Sequence, residues 1–407
     1  MTDNNNLGGG TASPEYKAAA QTAPAAGKPL RVGITHGDIN GVGYELILKT
    51  FAETGMLEIC TPVVFGSVKV ANYHRKALGL ETGFHVVSSA ADAVDGRLNL
   101  VNCFDEDVTV EFGKINPEAG HAAYVALEAS TDALKTGEID VLVTAPICKS
   151  AIQSADFRFV GHTEYLCNRI GGGAEPLMIL ANRLMRVALV TTHLPIQDVA
   201  KAITQEAVSK KIQQLYRSLR HDFLIPAPRI AVLGLNPHNG DNGALGHEEQ
   251  NIIEPAVKEA VENGIQCFGP YSADGFFGAG LYSSFDGILA MYHDQALAPF
   301  KALSMEDGVN FTAGLPYVRT SPDHGTAFDI AGRGEASAAS FRQAIYDAID
   351  IYRHRQADDE AHKNPLPKLY HERREDSNRN RHLQPQQAGK SAEGKAEKDD
   401  NKVDAEN

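Results

Sequence analysis

The amino-acid sequence predicts an α/β protein whose sheet is largely parallel and is covered by helices on both faces. Short apolar runs rich in β-branched residues alternate with longer stretches of helical periodicity, and this alternation is typical of strands connected by helices. A length of 407 residues exceeds what one hydrophobic core usually holds, which favours two domains. The order of the elements and the chain length thus predict the fold class.

Six apolar runs predict strands, and the stretches between several of them predict helices. The predicted strands are 30–35, 63–65, 141–144, 187–191, 230–235 and 288–291. Apolar residues repeat at helical spacing in 121–134 and in 196–219. Further helices are expected to begin near Tyr44 and near Glu164.

Composition sets the two ends apart from the body of the chain. Residues 1–28 are rich in Asn, Gly, Ala and Thr, and residues 371–407 consist mainly of charged and amide residues. Such segments bury too little apolar surface to offset the conformational entropy of ordering them. We therefore expect disordered extensions on both sides of a folded body at about 29–370.

Charge and cysteine content exclude several classes of protein. The formal net charge of −14 argues against a general nucleic-acid binder, because phosphate backbones require a basic surface. The five cysteines are scattered without CxxC spacing, which indicates reduced thiols and not a disulfide framework or a cysteine zinc site. The chain shows no signal-peptide pattern and no apolar stretch long enough to cross a membrane. We expect a cytoplasmic protein that binds neither nucleic acid nor membrane.

Three histidines stand directly after predicted strands. His193, His238 and His293 each follow an apolar run that ends in a turn or a polar residue. The carboxyl ends of parallel strands are where open α/β sheets bind ligands, and three imidazoles converging there would form an open site for a divalent metal. Each histidine could instead be a separate hydrogen-bonded loop residue. The residues alone leave both interpretations open.

Two other features favour a binding cleft without naming a ligand. The segment 35–43 (THGDINGVG) places glycines between a strand and a helix but matches neither GxGxxG nor the Walker pattern, so it could be a loop over a cleft or a structural turn. Lys301, Asn310 and Arg319 could grip a phosphate together or face solvent separately. Arg319 ends an apolar run, where an isolated charge would be costly.

The segment 323–334 (DHGTAFDIAGRG) resembles the loop that holds the adenosine half of NAD(P) in the isocitrate and isopropylmalate dehydrogenases. From about residue 31 to 352 the chain also resembles the 4-hydroxythreonine-4-phosphate dehydrogenase family. The resemblance rests on motifs in unbroken order: THGD with GVG, TAPICK, GHTE, TTHLP, LNPHNG, ADGFF, MYHDQ, GLPYVRT and DHGTAFDIAG.

This resemblance implies a role for individual residues. It implies that one divalent metal per subunit (Zn, Co, Mn or Mg) is bound by His193, His238 and His293. It implies that the substrate is bound by His162, Thr163, Lys301, Asn310 and Arg319. The loop resemblance implies that NAD, with NADP left open, is bound by His324, Gly325 and Thr326.

The family also implies an architecture similar to isopropylmalate dehydrogenase, with two α/β/α domains and the site in the cleft between them. We expect a discontinuous cofactor-binding domain at 29–145 and 265–370, and a second domain at 146–264 that carries the interface of a homodimer. The family's metal ligands are shared across that interface.

The implied reaction is the metal-dependent oxidation of 4-phosphooxy-L-threonine by NAD in pyridoxal 5′-phosphate biosynthesis. The 3-oxo product would lose CO2 to give 3-amino-2-oxopropyl phosphate. Asp274 and Asp294 are the candidate carboxylates for the proton transfer, and Asp294 could equally orient a neighbouring imidazole. The loop at 239–243 departs from the usual family sequence, so erythronate or threonate 4-phosphate stay open as substrates. A metal-dependent phosphate-ester hydrolase is a further alternative, but it has no use for an adenosine loop.

Overall fold

The computed structural model describes residues 29–104, 108–154, 156–303 and 306–364. The disordered extensions expected at 1–28 and 371–407 lie outside these residues. The described residues up to Glu360 belong to one unit of contacts, and the fold below is that of this unit.

The strands are bounded as follows: β1 (Leu30–Thr35), β2 (Cys60–Gly66), β3 (His85–Val87), β4 (Asn99–Asn102), β5 (Val141–Thr144), β6 (Leu177–Ala181), β7 (Arg186–Leu189), β8 (Arg229–Leu233), β9 (Gln266–Tyr271), β10 (Gly287–Ala290), β11 (Val309–Ala313) and β12 (Val318–Pro322). The helices are α1 (Gly43–Ala52), α2 (Met56–Ile59), α3 (Val68–Ala77), α4 (Pro117–Thr136), α5 (Lys149–Ile152), α6 (His162–Ile170), α7 (Ile196–Ala202), α8 (Gln205–His221), α9 (Glu254–Glu262), α10 (Ala273–Gly278), α11 (His293–Leu303) and α12 (Ala339–His362).

The strands form one mixed sheet in the order β3-β4-β2-β1-β5-β12-β11-β6-β7-β10-β8-β9. Pairing is parallel on both flanks and antiparallel only in the middle, from β12 to β11, β11 to β6 and β6 to β7. The α/β class and the largely parallel sheet are confirmed, and each of the six runs predicted as strands overlaps one. The odd number of reversals makes the strands of the two flanks run in opposite directions.

Helix ends follow local capping chemistry. Asn116 precedes α4 and accepts a hydrogen bond from the Ala119 amide at 2.7 Å, and Gly137 ends that helix in the left-handed conformation. The helix expected over 196–219 was wrong in one respect, because two helices, α7 and α8, cover this stretch. Thr204 lies between them and caps α8 by accepting from the Ala207 amide at 3.1 Å.

The first glycine-containing loop is a buried structural turn. Residues 36–42 are buried, and they lie between β1 and α1. The Val42 amide donates to the Thr326 carbonyl at 3.1 Å, so the turn packs against the segment 323–334. A Cβ on Gly41 would lie 2.7 Å from the same carbonyl oxygen, which explains the glycine.

Three further observations bear on the sequence predictions. All five cysteines are free, as expected. No helix among the described residues is long and apolar enough to cross a membrane. Strands β9 and β10 pair with β8 and β7, which belong to the segment 146–264; the division into two domains stays a prediction.

Candidate functional site

A buried arginine lies at the antiparallel middle of the sheet. Arg319 is 3% exposed on β12. Its Nε and Nη2 donate to the Thr144 hydroxyl at 3.1 and 2.6 Å, and its Nη1 donates to the Thr312 hydroxyl at 3.1 Å. Burial lowers the pKa of Arg319 to about 10, so the guanidinium is charged at neutral pH. No described carboxylate lies within ion-pair distance of it, and a buried charge without a counter-charge is costly unless a ligand supplies one.

Arg319 faces a cavity of about 320 Å³, which is at the lower end of the range for small-molecule sites. The cavity is lined by loops that follow strands of both flanks and by side chains of the middle strands. All five predicted substrate residues line it: His162, Thr163, Lys301, Asn310 and Arg319. These residues come from parts of the sequence that are far apart, and the fold brings them to one small cavity.

Two of these cavity-lining residues carry a buried polar atom without a hydrogen-bond partner. They are Nε2 of His162 and Oδ1 of Asn310. Burial, followed by the charges of Arg319 and Lys149, lowers the pKa of His162, so its imidazole is neutral. The Thr163 hydroxyl is 3.5 Å from that of Thr312, which also accepts from Arg319. Buried polar atoms are nearly always hydrogen-bonded, so this group is suited to a polar ligand.

Lys301 carries the second cationic head at this cavity. It lies on α11, and its Nζ is 3.6 Å from Oδ1 of Asp323. Burial raises the pKa of Asp323, although Lys301 opposes that shift. Asp323 thus partly balances the charge of Lys301, whereas no carboxylate among the described residues pairs with Arg319.

The three predicted metal ligands follow three adjacent parallel strands. His193, His293 and His238 come after β7, β10 and β8, in the spatial order of those strands. His193 and His293 line the cavity, and their ring centroids are 6.2 Å apart. Partial burial, with Lys149 as the next cause, lowers the pKa of His193, which favours the neutral form that binds metals.

His238 stands apart from this pair. It is exposed and does not line the cavity. It begins a stretch at 238–242 whose backbone is left-handed at every residue, which is uncommon for residues other than glycine. Among the described residues, the ligand atoms of the three histidines do not converge to within 4.8 Å of one another. One chain therefore brings two of the three predicted ligands together, and the ligand set stays a prediction.

The two predicted catalytic carboxylates lie outside the cavity lining. Asp274 is exposed and accepts from the Ser272 hydroxyl at 2.6 Å. The Asp294 side chain is 85% exposed, with Oδ2 3.4 Å from Nδ1 of His293. The second contact fits the orienting role considered for Asp294 better than a role in proton transfer.

Two titratable residues without an assigned role do line the cavity. Lys149 and Glu164 stand beside His162 and His193. The charge of Glu164 acts on His193 and on Arg319. A single lysine after a strand is usually solvated, and sequence spacing gives no distance between the two loops. The joint occurrence of TAPICK and GHTE was the available signal.

The predicted cofactor loop borders the same cavity. His324 and Gly325 line it, and Thr326 packs against the first turn. Nε2 of His324 is buried without a partner, and burial lowers the pKa of this histidine. No heavy atom lies within 4 Å of a Cβ built on Gly325. The loop thus combines open space at Gly325 with an unpartnered ring nitrogen at His324, and its role in cofactor binding stays a prediction.

Comparisons with known proteins show which family the chain is similar to. The family model for the pyridoxal phosphate biosynthetic protein PdxA matches residues 58–348. A 4-hydroxythreonine-4-phosphate dehydrogenase from Bacteroides thetaiotaomicron is 61% identical over 350 residues, which are 86% of this chain and 96% of that protein. A relative from Oceanobacillus iheyensis, provisionally named D-threonate 4-phosphate dehydrogenase, is 38% identical over 80% of this chain and 98% of its own length.

Solved structures of 4-hydroxythreonine-4-phosphate dehydrogenases are also similar to this chain. The crystal structure of a 4-hydroxythreonine-4-phosphate dehydrogenase from Klebsiella pneumoniae is similar with a TM-score of 0.69 at 32% identity, covering 81% of this chain and 99% of that one. One from Burkholderia phymatum gives 0.65 at 36% identity, covering 79% and 98%. The similarity extends over nearly the whole length of each relative.

Proposed function

This chain belongs to the family of the pyridoxal phosphate biosynthetic protein PdxA, and we propose that it oxidises 4-phosphooxy-L-threonine at C3 with NAD and a divalent metal. The product would be 2-amino-3-oxo-4-phosphooxybutanoate, which loses CO2 to give 3-amino-2-oxopropyl phosphate. The proposal rests on Arg319, which is buried and charged, faces the cavity and has no carboxylate within ion-pair distance among the described residues. An enzyme for a phosphorylated small molecule explains that charge directly.

The phosphate would be held by Arg319 together with Asn310 and Lys301. The guanidinium supplies a charge-assisted donor fork, and Lys301 adds a second cation after partial release from Asp323. These contacts lie away from the reacting carbon. Their binding energy would position C3, since remote contacts contribute to orienting the reacting group.

A divalent ion would be held by His193, His293 and His238. When bound, such an ion lowers the pKa of the alcohol that is oxidised. The donor set fits, because His193 and His293 already lie side by side and only imidazole nitrogens are involved. Since His238 does not join them within one chain, we propose a homodimer in which a second copy completes the site.

Proton transfer from the substrate hydroxyl needs a base within reach of the cavity. Asp274 and Asp294 would reach it only if the second copy or a bound substrate brings them closer. Lys149 and Glu164 already line the cavity and are the first residues to test. We propose that Asp294 orients His293.

The hydride acceptor would be NAD bound by His324, Gly325 and Thr326. The unpartnered His324 nitrogen and the open space at Gly325 support this assignment. We favour NAD over NADP, and a cytoplasmic location stays a prediction.

One relative favours a second candidate substrate. Because a protein provisionally named D-threonate 4-phosphate dehydrogenase shares 38% identity, threonate 4-phosphate is the first alternative, with erythronate 4-phosphate also left open. Each sugar acid carries the same terminal phosphate as 4-phosphooxy-L-threonine and has a C2 hydroxyl in place of its amine.

The test is NAD reduction, followed by absorbance, with each phosphorylated acid before and after chelation and after adding back Zn, Co, Mn or Mg. We expect the highest kcat/KM with 4-phosphooxy-L-threonine and no turnover after chelation. A higher kcat/KM with a sugar acid would assign the alternative substrate. Release of inorganic phosphate without NAD reduction would favour the hydrolase considered from the sequence.

A further inference from the structure

Three segments carry the candidate metal ligands: the His193 loop (190–195), the His238 loop (234–243) and the His293 loop (291–295, which includes the start of α11). Hydrogen bonds that do not involve the histidines connect these segments. The first tie joins the His193 loop to the His293 loop. The amide and the hydroxyl of Thr191 both donate to the Met291 carbonyl, at 3.1 and 2.7 Å. Thr191 is 7% exposed, so water competes little for this contact.

The second tie is the side-chain amide of Gln295, which joins the His293 loop to the His238 loop. Oε1 of Gln295 accepts from the Met291 amide at 2.7 Å, and Nε2 donates to the Gly234 carbonyl at 2.6 Å. A backbone N–H requires an acceptor and a carbonyl requires a donor, so these partners fix the orientation of the amide. Gln295 is therefore bonded to the ends of both β10 and β8.

The third tie holds the start of the His238 loop. Glu249 is 1% exposed, and its Oε1 accepts from the amides of Leu235 and Asn236, both at 2.7 Å. Its Oε2 accepts from Nδ2 of Asn236 at 3.0 Å. The left-handed stretch 238–242 follows immediately. Left-handed residues other than glycine cost about 1 kcal/mol or more each, so this conformation needs an anchor at its base.

We propose that Gln295 is a positioning residue that fixes the His193, His238 and His293 loops in one arrangement, with Thr191 and Glu249 as its outer anchors. The inference rests on the proposed function, in which these histidines bind the metal. Through Met291, the one side chain of Gln295 connects both outer loops to the central one. Loops held before the ion arrives lose less conformational entropy when it binds.

The coupling itself is tested without metal, by hydrogen–deuterium exchange on the full chain. Gln295→Met keeps the length of the side chain and removes both hydrogen bonds. We expect faster exchange at 190–195, 234–243 and 291–295 together. Gln250→Met is the matched control, because Gln250 is exposed and lies close in sequence to Glu249, and it should match the parent. Faster exchange confined to 291–295 would overturn the coupling.

A second variant separates the two bonds of Gln295. Gln295→Glu keeps an acceptor for the Met291 amide but places a carboxylate oxygen against the Gly234 carbonyl, which repels it. Exchange should then rise at 234–243 and stay at the parent level at 190–195. Equal increases in both segments would show that the bond to Gly234 has no separate role.

The purpose of the coupling is tested by Co²⁺ titration against a competing chelator, with the ligand-field spectrum as the readout. Gln295→Met should bind Co²⁺ about 10- to 100-fold more weakly, the range found when groups that orient metal ligands are removed. Parent-like Co²⁺ affinity and spectrum in a variant with a lower Tm would overturn the positioning role and leave a purely structural brace. A parent that binds no Co²⁺ would contradict the metal site of the proposed function, while the exchange data would still decide the coupling.

Discussion

Two regions of this protein hold buried polar atoms without partners, and they differ in whether space adjoins them. Around Arg319, such atoms belong to His162 and Asn310 and border the cavity. In the first turn they are both ring nitrogens of His36 and Oδ2 of Asp38. There the surroundings are packed.

The second region is closed by aromatic rings. His36 stacks on Tyr44 with ring centroids 5.0 Å apart and an interplanar angle of 11°, and Phe104 meets it edge-on at 6.0 Å. Burial lowers the pKa of His36 to about 3 and that of His74 to about 4. Both imidazoles are therefore neutral and pack against the neighbouring aromatic rings. Unpaired polarity thus indicates a ligand only where there is room for one, and elsewhere it makes stability depend on pH.

The largest contrast between the regions should come from their histidines. Replacing His193 or His293 with Ala should lower kcat by at least about 100-fold and remove bound metal, because too few imidazoles remain to hold the ion. Turnover and elemental analysis measure this. His85→Ala is the control, since His85 is exposed on β3. Full metal occupancy in both cavity variants would remove these ligands from the site.

His36 should control stability and not catalysis. Its pKa is depressed by burial, so the unfolded chain binds more protons below pH 6.5, and stability falls as the pH drops from 6.5 toward about 3. His36→Leu should reduce this dependence by about 1.4 kcal/mol per pH unit. Urea unfolding across that range measures the slope. An unchanged slope would show that His36 titrates normally.

Asp38 should act with the opposite sign. Burial raises its pKa to about 6 from 3.8, so the folded chain binds more protons in that window and this group's contribution to stability falls as the pH rises through it. As the pH rises between those values, the free energy of unfolding of Asp38→Asn should increase by up to about 3 kcal/mol relative to that of the parent. The same unfolding series checks it, and a gain on the acid side instead would contradict the burial of a protonated carboxyl.

The smallest effect concerns the cofactor loop. Gly325→Val places a side chain in space that the protein itself does not fill, so folding should be unaffected while the KM for NAD rises, by about 10-fold if one to two kcal/mol of contact is lost. Gly83→Val is the control, because a Cβ there also meets nothing. Equal KM values for NAD in the two variants would separate the loop from the cofactor site.

The sequence predicted the inner strands of both parallel flanks, but it missed the edge strands β3, β4 and β9 and the middle strands β6, β11 and β12. Strands β5, β8 and β10 are short apolar runs with β-branched residues, so they were recognised, and so was the common edge from which His193 and His293 project. Strands β11 and β12 were missed because polar and charged residues interrupt them, Asn310 and Arg319 among these. Those interruptions exist because the residues face the cavity.

The spacing of residues in the sequence cannot give the distance between residues that lie on separate loops. Lys149 and Glu164 come to the cavity from two loops, and no periodicity relates them. The separation of His238 from the other two histidines has the same origin, because the left-handed turn that carries it depends on Glu249 and Gly240 packing together. Motif resemblance named the residues, and only the fold showed which ones share a space.

We propose that Arg319 is buried to bind the substrate's phosphate. The most direct test is calorimetric binding of 4-phosphooxy-L-threonine and of its dephosphorylated counterpart to the parent and to Arg319→Met. Loss of a charge-assisted partner in a buried site should weaken binding of the phosphorylated acid by about 2–4 kcal/mol. The dephosphorylated acid should bind both proteins equally weakly, and the Tm without ligand should change little, because removing an unpaired buried charge offsets the loss of its hydrogen bonds to Thr144 and Thr312. Equal losses for both acids, or a large fall in Tm, would show that Arg319 is structural and contradict the account.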